Sequence, residues 1–189
     1  IARTVDDVEI LFDVLKGKDE MDQTTIEGDI DSSVKKIGVP RRFLGGVDED
    51  VLTNFDESLD KLKKEGYEIV DIELPSFDYA LAVYYILVPA EVSSNMSRYD
   101  GVKFGEHREG KDLIEDYFKT RALLGDEVKR RIMLGTYVLS TGYAEEYYRK
   151  AWQARNQIKE ELKKVFETVD LIAMPTSPTP AFKIGEFSV

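Results

Sequence analysis

A strand-helix-strand pattern near the start of the chain constrains the fold more than any other sequence feature. Residues 36–40 predict a short buried strand that ends at Pro40, which cannot donate to a sheet hydrogen bond. A helical repeat of apolar residues then runs as far as Gly66, and it consists of Val51, Phe55, Leu59 and Leu62. Residues 67–74 predict a second strand. Two strands joined by one helix over about forty residues are typical of a βαβ unit, so we expect them to be parallel neighbours.

Most of the remaining chain has helical character. A capping-box-like Thr4-x-x-Asp7 opens a first helix that Gly17 ends, and its apolar face consists of Val8, Leu11, Phe12 and Leu15. Further helices are predicted at 77–96, 112–121, 125–140 and 143–167, and a last strand at 171–174. The pattern therefore predicts an α/β fold in which a helical insertion interrupts the sheet.

We expect the chain to be part of one larger domain. We divide the chain into three predicted segments. Residues 1–75 contain the first helix and the βαβ unit, and residues 76–168 are helical. Residues 169–189 contain the last strand and a proline-rich loop. Three strands are fewer than the about four to six of an ordinary sheet, and the chain begins at Ile1 rather than at Met. Both observations predict an incomplete sheet, in a C-terminal-side portion of the domain.

Residue content disfavours several kinds of function. The formal net charge of −11 disfavours nucleic acid as a direct ligand, because phosphates are repelled. The absence of cysteine excludes disulfides and thiolate metal sites, and it fits a cytoplasmic location. His107 is the single histidine, and its polar neighbours predict an exposed loop. No apolar stretch has membrane-spanning length. Residues 18–33 predict a solvated connection rather than a metal site, and their acids are Asp19, Glu20, Asp22, Glu27, Asp29 and Asp31.

Three consecutive basic residues, 129–131, occupy the predicted helix 125–140. Successive helical residues point about 100° apart, so Val128, Arg131 and Ile132 tend towards the buried side while Lys129 and Arg130 face out. An inward arginine needs a partner, and a carboxylate held through two hydrogen bonds is the natural one. The spacing alone leaves a surface arginine or a structural ion pair as the commoner alternative.

Other candidates for chemistry have simpler interpretations. The chain contains none of the common nucleotide-binding, hydrolase or zinc motifs, and Ser93-Ser94-Asn95 has no Lys or His at motif spacing, which favours packing or capping. Helical aromatic residues are usually core, with the edge of a polar pocket as the rarer alternative for Tyr79, Tyr84 and Tyr85. Helix packing is also expected for Tyr143, Tyr147, Tyr148 and Trp152. Pro89 predicts a kink or a break in the 77–96 helix.

Several stretches, in order along the whole chain, resemble the amidase-signature family and, within it, the glutamine-hydrolysing A subunits of tRNA-dependent amidotransferases. The first stretch, 1–7, and the last, 175–186, are shared broadly by the family. The middle stretches are more specific to the A subunits: Tyr84-Tyr85, Ala90-Glu91-Val92-Ser93-Ser94-Asn95, Arg98-Tyr99-Asp100-Gly101-Val102-Lys103 and residues 125–136.

The resemblance implies a mixed, mainly parallel sheet flanked by helices, and amide hydrolysis by a lysine, a cis-peptide serine and a nucleophilic serine. In the family these three residues precede the stretch that matches 1–7, so we assign no catalytic residue and no metal ligand here. Neither Ser93, Ser94 nor Ser177 is taken as a substitute. We expect the 189 residues alone to be inactive.

The resemblance implies a substrate-binding role for two residues of this chain. Arg131 matches the family arginine that binds the α-carboxylate of glutamine, and Tyr84 matches a tyrosine of the same pocket. A family aspartate for the amino group of glutamine lies beyond Val189. Pro89 is a departure from the family pattern that could shift Tyr84 relative to Arg131.

The resemblance also implies partners. The protein would release ammonia for the conversion of Glu-tRNA(Gln) or Asp-tRNA(Asn), with B and C subunits as partners. ATP and magnesium would be bound by the partner subunit, which would also hold most of the tRNA. Two alternatives stay open, namely another amidase-signature hydrolase of free amides and a non-catalytic helical interaction module.

Overall fold

The structure is a computed structural model that describes residues 1–26, 28 and 33–186. The chain divides into two units, Ile1–Val34 and Lys35–Val189. In the first unit, helix α1 spans Val5–Leu15, with the Thr4 hydroxyl accepting a hydrogen bond from the Asp7 backbone N–H at 3.1 Å. The predicted start and end of this helix are confirmed, because Gly17 has a φ of 144° that favours glycine.

The second unit contains a sheet of three parallel strands, and the first two are neighbours, as the βαβ pattern predicted. The strands are β1 (Lys36–Val39), β2 (Glu68–Asp71) and β3 (Leu171–Ile172), and their order in the sheet is β2-β1-β3. Helix α2, Glu49–Lys64, connects β1 to β2. Strand β1 is central and buried, whereas β2 and β3 are the edges. The α/β fold class is confirmed.

Two apolar clusters pack beside this sheet. One joins β1 to α2 through Val39, Leu44 and Leu59, which are all buried. The other is formed by Ile72, Leu74 and Val169, with side chains of the final helix packed against it. Helix α2 and the final helix are therefore held to the sheet by hydrophobic burial, which is the largest favourable contribution to folding.

The helical segment between β2 and β3 contains four α-helices. They are α3 (Ala80–Asn95), α4 (Leu113–Ala122), α5 (Asp126–Leu139) and α6 (Arg149–Phe166). A short 3₁₀ helix, Pro75–Tyr79, precedes α3, and one turn of π-helix, Ala144–Tyr148, precedes α6. Helices α3, α4 and α5 lie within three residues of their predicted ends. Helix α6 begins six residues after the predicted residue 143, because the π-helical turn occupies Ala144–Tyr148. None of the helices in the described ranges is long and apolar enough to cross a membrane.

Helix α3 runs through Pro89 without interruption, so the break that was one of the two predicted effects, a kink or a break, is wrong. Pro89 lacks a backbone N–H and removes one helical hydrogen bond, yet its side chain is fully buried. Helix α3 packs mainly against α5 and also against α6. This tertiary packing stabilises the helix across the missing hydrogen bond, since packing routinely outweighs local helix preferences.

The start of β1 is fixed by a carboxylate from a distant part of the chain. Asp170 Oδ2 accepts hydrogen bonds from the backbone N–H groups of Lys35 and Lys36, both at 2.8 Å. These two bonds lower the pKa of Asp170 below its ordinary value. Because Asp170 directly precedes β3, its carboxylate joins the two strands at one end of the sheet.

Replacing Asp170 with alanine is expected to lower the unfolding midpoint of the protein at neutral pH, with a smaller effect in acid. The folded-state pKa is depressed, so the contribution of Asp170 is present above its unfolded pKa of about 4 and is lost as the pH falls through the folded value. Thermal unfolding at a series of pH values measures the difference. Glu57→Ala removes an exposed carboxylate of α2 and is the control. A pH-independent difference between wild type and Asp170→Ala would contradict this account.

Candidate substrate-binding site

The two residues that the resemblance singled out, Tyr84 and Arg131, meet between α3 and α5. Arg131 Nη1 donates to the Tyr84 hydroxyl at 3.0 Å, and the guanidinium carbon lies 5.9 Å from the centre of the Tyr84 ring. Although 47 residues separate the two in sequence, the packing of α3 against α5 brings their side chains into contact. The uninterrupted course of α3 through Pro89 is compatible with this contact, so the proline does not separate the pair.

Glu127 binds the same arginine from within α5. Its Oε1 accepts from Arg131 Nε at 2.7 Å and from Arg130 Nη2 at 2.7 Å, while its Oε2 accepts from Arg130 Nε at 2.7 Å. The hydrogen bond from Arg130, followed by that from Arg131, lowers the pKa of Glu127 to about 2. Glu127 is therefore ionised at neutral pH. In turn, the hydrogen bonds to Tyr84 and Glu127 raise the pKa of Arg131 above its ordinary value.

The three basic side chains at the start of α5 differ in exposure. The Arg131 side chain is 26% exposed, against 54% for Arg130 and 41% for Lys129. Arg131 is thus the most inward of the three, as the helical geometry predicted. Its carboxylate partner in the structure is the exposed Glu127, which it contacts through Nε. In the part of the chain that the structure describes, Arg131 Nη2 makes no hydrogen bond to the protein.

The tyrosines of α3 and of the 3₁₀ helix before it are not core residues, which corrects the more common interpretation of their spacing. Tyr79 is 61% exposed, Tyr84 42% and Tyr85 45%. Helix α3 is apolar around most of its circumference, so the period of its sequence does not indicate which face is buried. The buried residues of this helix are Val83, Pro89 and Ala90.

Aromatic residues near the end of α5 and the start of α6 pack mainly on one another. The ring centres of Tyr137 and Tyr143 are 4.4 Å apart, and that of Tyr147 lies 6.2 Å from Tyr143. Each of these rings stays about two-fifths to one-half exposed. Tyr148 and Trp152 form a separate pair with ring centres 6.4 Å apart. The expected helix packing is therefore present, but at the surface.

The remaining polar candidates lie away from Arg131 or in local contacts. His107 occupies an exposed irregular segment, with Nδ1 3.0 Å from the carbonyl oxygen of Gly101. Ser93 Oγ lies 3.0 Å from the hydroxyl oxygen of Thr136, which joins α3 to α5 and fits the predicted packing role. Ser177 Oγ donates to the Thr179 carbonyl within its own loop. Ser93 thus makes a contact between two helices, and Ser177 makes a contact within its own loop.

Carboxylates do not converge into a metal site anywhere in the described ranges, 1–26, 28 and 33–186. In the acidic segment, Asp19, Glu20 and Asp22 are exposed. The other acids of that segment, Glu27, Asp29 and Asp31, lie outside the described residues, as do the last residues of the chain, 187–189.

Two surface grooves adjoin α4. The larger, about 480 Å³, lies between α4 and α5 and is mostly apolar, with Phe118, Ile132 and Met133 among its walls. The smaller, about 220 Å³, lies between the end of α4 and the loop that precedes it. Neither groove is lined by Tyr84 or Arg131.

Sequence reasoning missed Glu127 as a member of the cluster. The signal was present, because Glu127 precedes Arg130 by three residues and Arg131 by four, and these spacings bring helical side chains together. Glu127 is also in the first turn of its helix, where the macrodipole favours a negative charge. A carboxylate at this position is therefore favoured both by its helix and by the two arginines that follow it.

Comparison with known proteins identifies one family over the whole chain. The family model described as Amidase matches residues 1–189. The A subunit of the glutamyl-tRNA(Gln) amidotransferase of Thermodesulfovibrio yellowstonii is 48% identical over 98% of this chain, and that of a Synechococcus species is 47% identical over 98%. The chain spans 41% of the first relative and 38% of the second, so it corresponds to about two-fifths of these proteins.

Solved structures show the same fold. The crystal structure of the A subunit of glutamyl-tRNA(Gln) amidotransferase from Thermotoga maritima matches all of this chain and 39% of its own, with 34% identity and a TM-score of 0.67. A second crystal structure, of an amidase, has a TM-score of 0.63 with 23% identity, over 97% of this chain and 36% of its own. At that identity the second likeness supports the fold alone.

Proposed function

Because the chain belongs to the amidase family, we propose that it forms part of the glutamine-hydrolysing subunit of a tRNA-dependent amidotransferase. The relatives named as A subunits of glutamyl-tRNA(Gln) amidotransferase support this choice within the family, since their similarity extends over 98% of the chain. The full-length protein would release ammonia from glutamine. The ammonia would convert Glu-tRNA(Gln) to Gln-tRNA(Gln), or Asp-tRNA(Asn) to Asn-tRNA(Asn).

Arg131 is the residue of this chain that we propose to bind substrate. Its contact with Tyr84 is the observation that carries the proposal, because the family resemblance singled out the two side chains independently and they are 3.0 Å apart. A guanidinium is planar and binds a carboxylate through parallel hydrogen bonds. In this role Arg131 receives the α-carboxylate of glutamine, while Tyr84 lines the pocket and holds the guanidinium.

The residues that cleave the amide bond belong to other parts of the full-length protein in this proposal. A lysine, a cis-peptide serine and a nucleophilic serine would precede the matched stretch, and an aspartate for the amino group of glutamine would follow Val189. The same parts of the protein would complete the pocket in front of Arg131. The chain would contribute one wall of the substrate site and no catalytic group.

The proposed assembly includes B and C subunits. The partner subunit would bind ATP and magnesium to activate the misacylated tRNA, and it would hold most of that tRNA. The net charge of −11 supports this division of labour, because an acidic chain is a poor surface for a polyanion. The proposal places the protein in the cytoplasm, together with its tRNA substrate.

Purified with its partner subunits, the full-length protein is expected to hydrolyse glutamine and to transfer the ammonia to Glu-tRNA(Gln) when ATP and magnesium are present. The 189-residue chain alone is expected to release no ammonia above the buffer control, because it supplies no nucleophile. Ammonia release and amidated tRNA measure the two steps. Hydrolysis of simple amides without transfer to tRNA would favour the other amidase-signature alternative, and turnover by the 189 residues would contradict the division of roles.

A further inference from the structure

We propose that Glu127 is a positioning residue that fixes the orientation of the Arg131 guanidinium for a carboxylate ligand. This inference rests on the proposed function, since it assigns a role to a neighbour of the proposed substrate-binding arginine. Neither the family resemblance nor the comparisons single out Glu127. Glu127 is distinguished by its contacts in the structure. It accepts hydrogen bonds from two arginines, and one of these arginines also donates to a tyrosine of another helix.

The geometry holds Arg131 at two separate points. Glu127 Oε1 accepts from Nε at 2.7 Å on the α5 side, and the Tyr84 hydroxyl accepts from Nη1 at 3.0 Å on the α3 side. Because a guanidinium is rigid and planar, two anchors on different nitrogens fix its plane. Within the described part of the chain, both N–H groups of Nη2 and the second N–H group of Nη1 remain for a ligand, which suffices for two parallel hydrogen bonds. Loss of one anchor would leave the arginine free to rotate about the other.

The charges of the cluster also favour an anionic ligand. Two guanidinium groups and one carboxylate leave a net charge of about +1 beside Tyr84. Arg130 donates to both oxygens of Glu127, so it fixes the orientation in which the carboxylate contacts Arg131. Arg130 thus supports the position of Glu127, and Glu127 supports that of Arg131. Glu127 also offsets the repulsion between the two like charges, because it is ion-paired with both arginines.

An ion pair with a purely structural role would have similar geometry, but its loss would not change the binding of a ligand. Exposed pairs at helical spacing contribute little to stability. Glu145 and Arg149 form such a pair at the i,i+4 spacing, and both side chains are about two-thirds exposed. Glu145→Ala is therefore a matched control, because it removes a carboxylate from an exposed Glu–Arg pair that has no proposed ligand.

The test uses glutaminase kinetics of the full-length protein with its partner subunits, with glutamine and with γ-aminobutyramide, which lacks the α-carboxylate. For Glu127→Ala we expect the KM for glutamine to rise roughly fivefold, the upper range for an exposed pair, with kcat unchanged. The KM for γ-aminobutyramide should not change. Glu127→Gln keeps an oxygen acceptor for Arg131 Nε and should recover part of the affinity. Glu145→Ala should match wild type.

The outcomes separate this inference from the function on which it rests. If Arg131→Ala raises the KM for glutamine while Glu127→Ala and Glu127→Gln leave it unchanged, Glu127 has no positioning role and the proposed function stands. If Arg131→Ala leaves the KM unchanged, the proposed binding role of Arg131 fails and this inference fails with it. An equal KM increase for both amides in Glu127→Ala would indicate general disruption and would also overturn the inference.

Discussion

Replacing Arg131 with alanine in the full-length protein is expected to raise the KM for glutamine roughly 30-fold, with little change in kcat. Loss of one partner of a hydrogen-bonded charge pair commonly costs about 30-fold or more in affinity. We expect the lower end of that range, because the side chain is 26% exposed and water screens the interaction. A carboxylate remote from the reacting amide is bound equally in the ground and transition states. Its loss therefore appears in KM rather than in kcat.

Two further variants make this result specific. Arg131→Lys keeps the charge but cannot donate to Glu127, Tyr84 and a ligand in one plane, so it should restore only part of the affinity. Arg130→Ala removes the neighbouring charge and an anchor of Glu127, and its effect on KM should be much smaller than that of Arg131→Ala. Steady-state kinetics with glutamine measure all three. An Arg131→Ala protein with the wild-type KM would show that the guanidinium does not contact the substrate.

Where periodicity was strong, the sequence was sufficient to predict the fold. The strand-helix-strand pattern predicted parallel pairing of β1 and β2, and the structure shows this pairing, with Gly38 opposite Val70. Apolar alternation and helix termini report local geometry directly, so element type and order follow from them. Partner choice for β3 depends on contacts across more than one hundred residues. No local pattern specifies that β3 pairs with β1 rather than with β2.

The site was harder to predict than the fold for a physical reason. Helical spacing identified Arg131 as the inward member of its trio, since that conclusion requires only the angle between successive residues. The burial of Tyr84 was misjudged, because α3 is apolar on nearly all sides and only the packing of α5 selects its buried face. The contact between Tyr84 and Arg131 arises from tertiary packing, which neither helix encodes alone.

The close approach of α3 and α5 depends on one glycine. A Cβ atom built on Gly135 would lie 1.9 Å from the carbonyl oxygen of Pro89 and 2.6 Å from the Cβ of Ser93. Both distances are far below van der Waals contact, and the Pro89 oxygen is backbone that a rotamer change cannot move. Gly135 therefore sets the separation of the two helices. It lies four residues, about one helical turn, after Arg131, so the same separation determines the reach of Arg131 to Tyr84.

Gly135→Ala is expected to lower the free energy of unfolding by about 2 kcal/mol, even though alanine favours a helix interior by about 1 kcal/mol. The steric clash outweighs the helix preference because α3 must shift as a unit. The same shift should lengthen the contact between Arg131 and Tyr84 and raise the KM for glutamine severalfold. Thermal unfolding and glutaminase kinetics of the full-length protein measure the two effects.

Gly45→Ala is the matched control for this prediction. Gly45 has a φ of −67°, which alanine adopts readily, and a Cβ atom there would meet nothing within 4 Å. This variant should therefore be neutral or slightly stabilising, since alanine reduces the freedom of the unfolded chain. If Gly135→Ala instead behaved like Gly45→Ala in stability and in KM, α3 and α5 could separate freely. The contact between Tyr84 and Arg131 would then not depend on the backbone approach at Gly135.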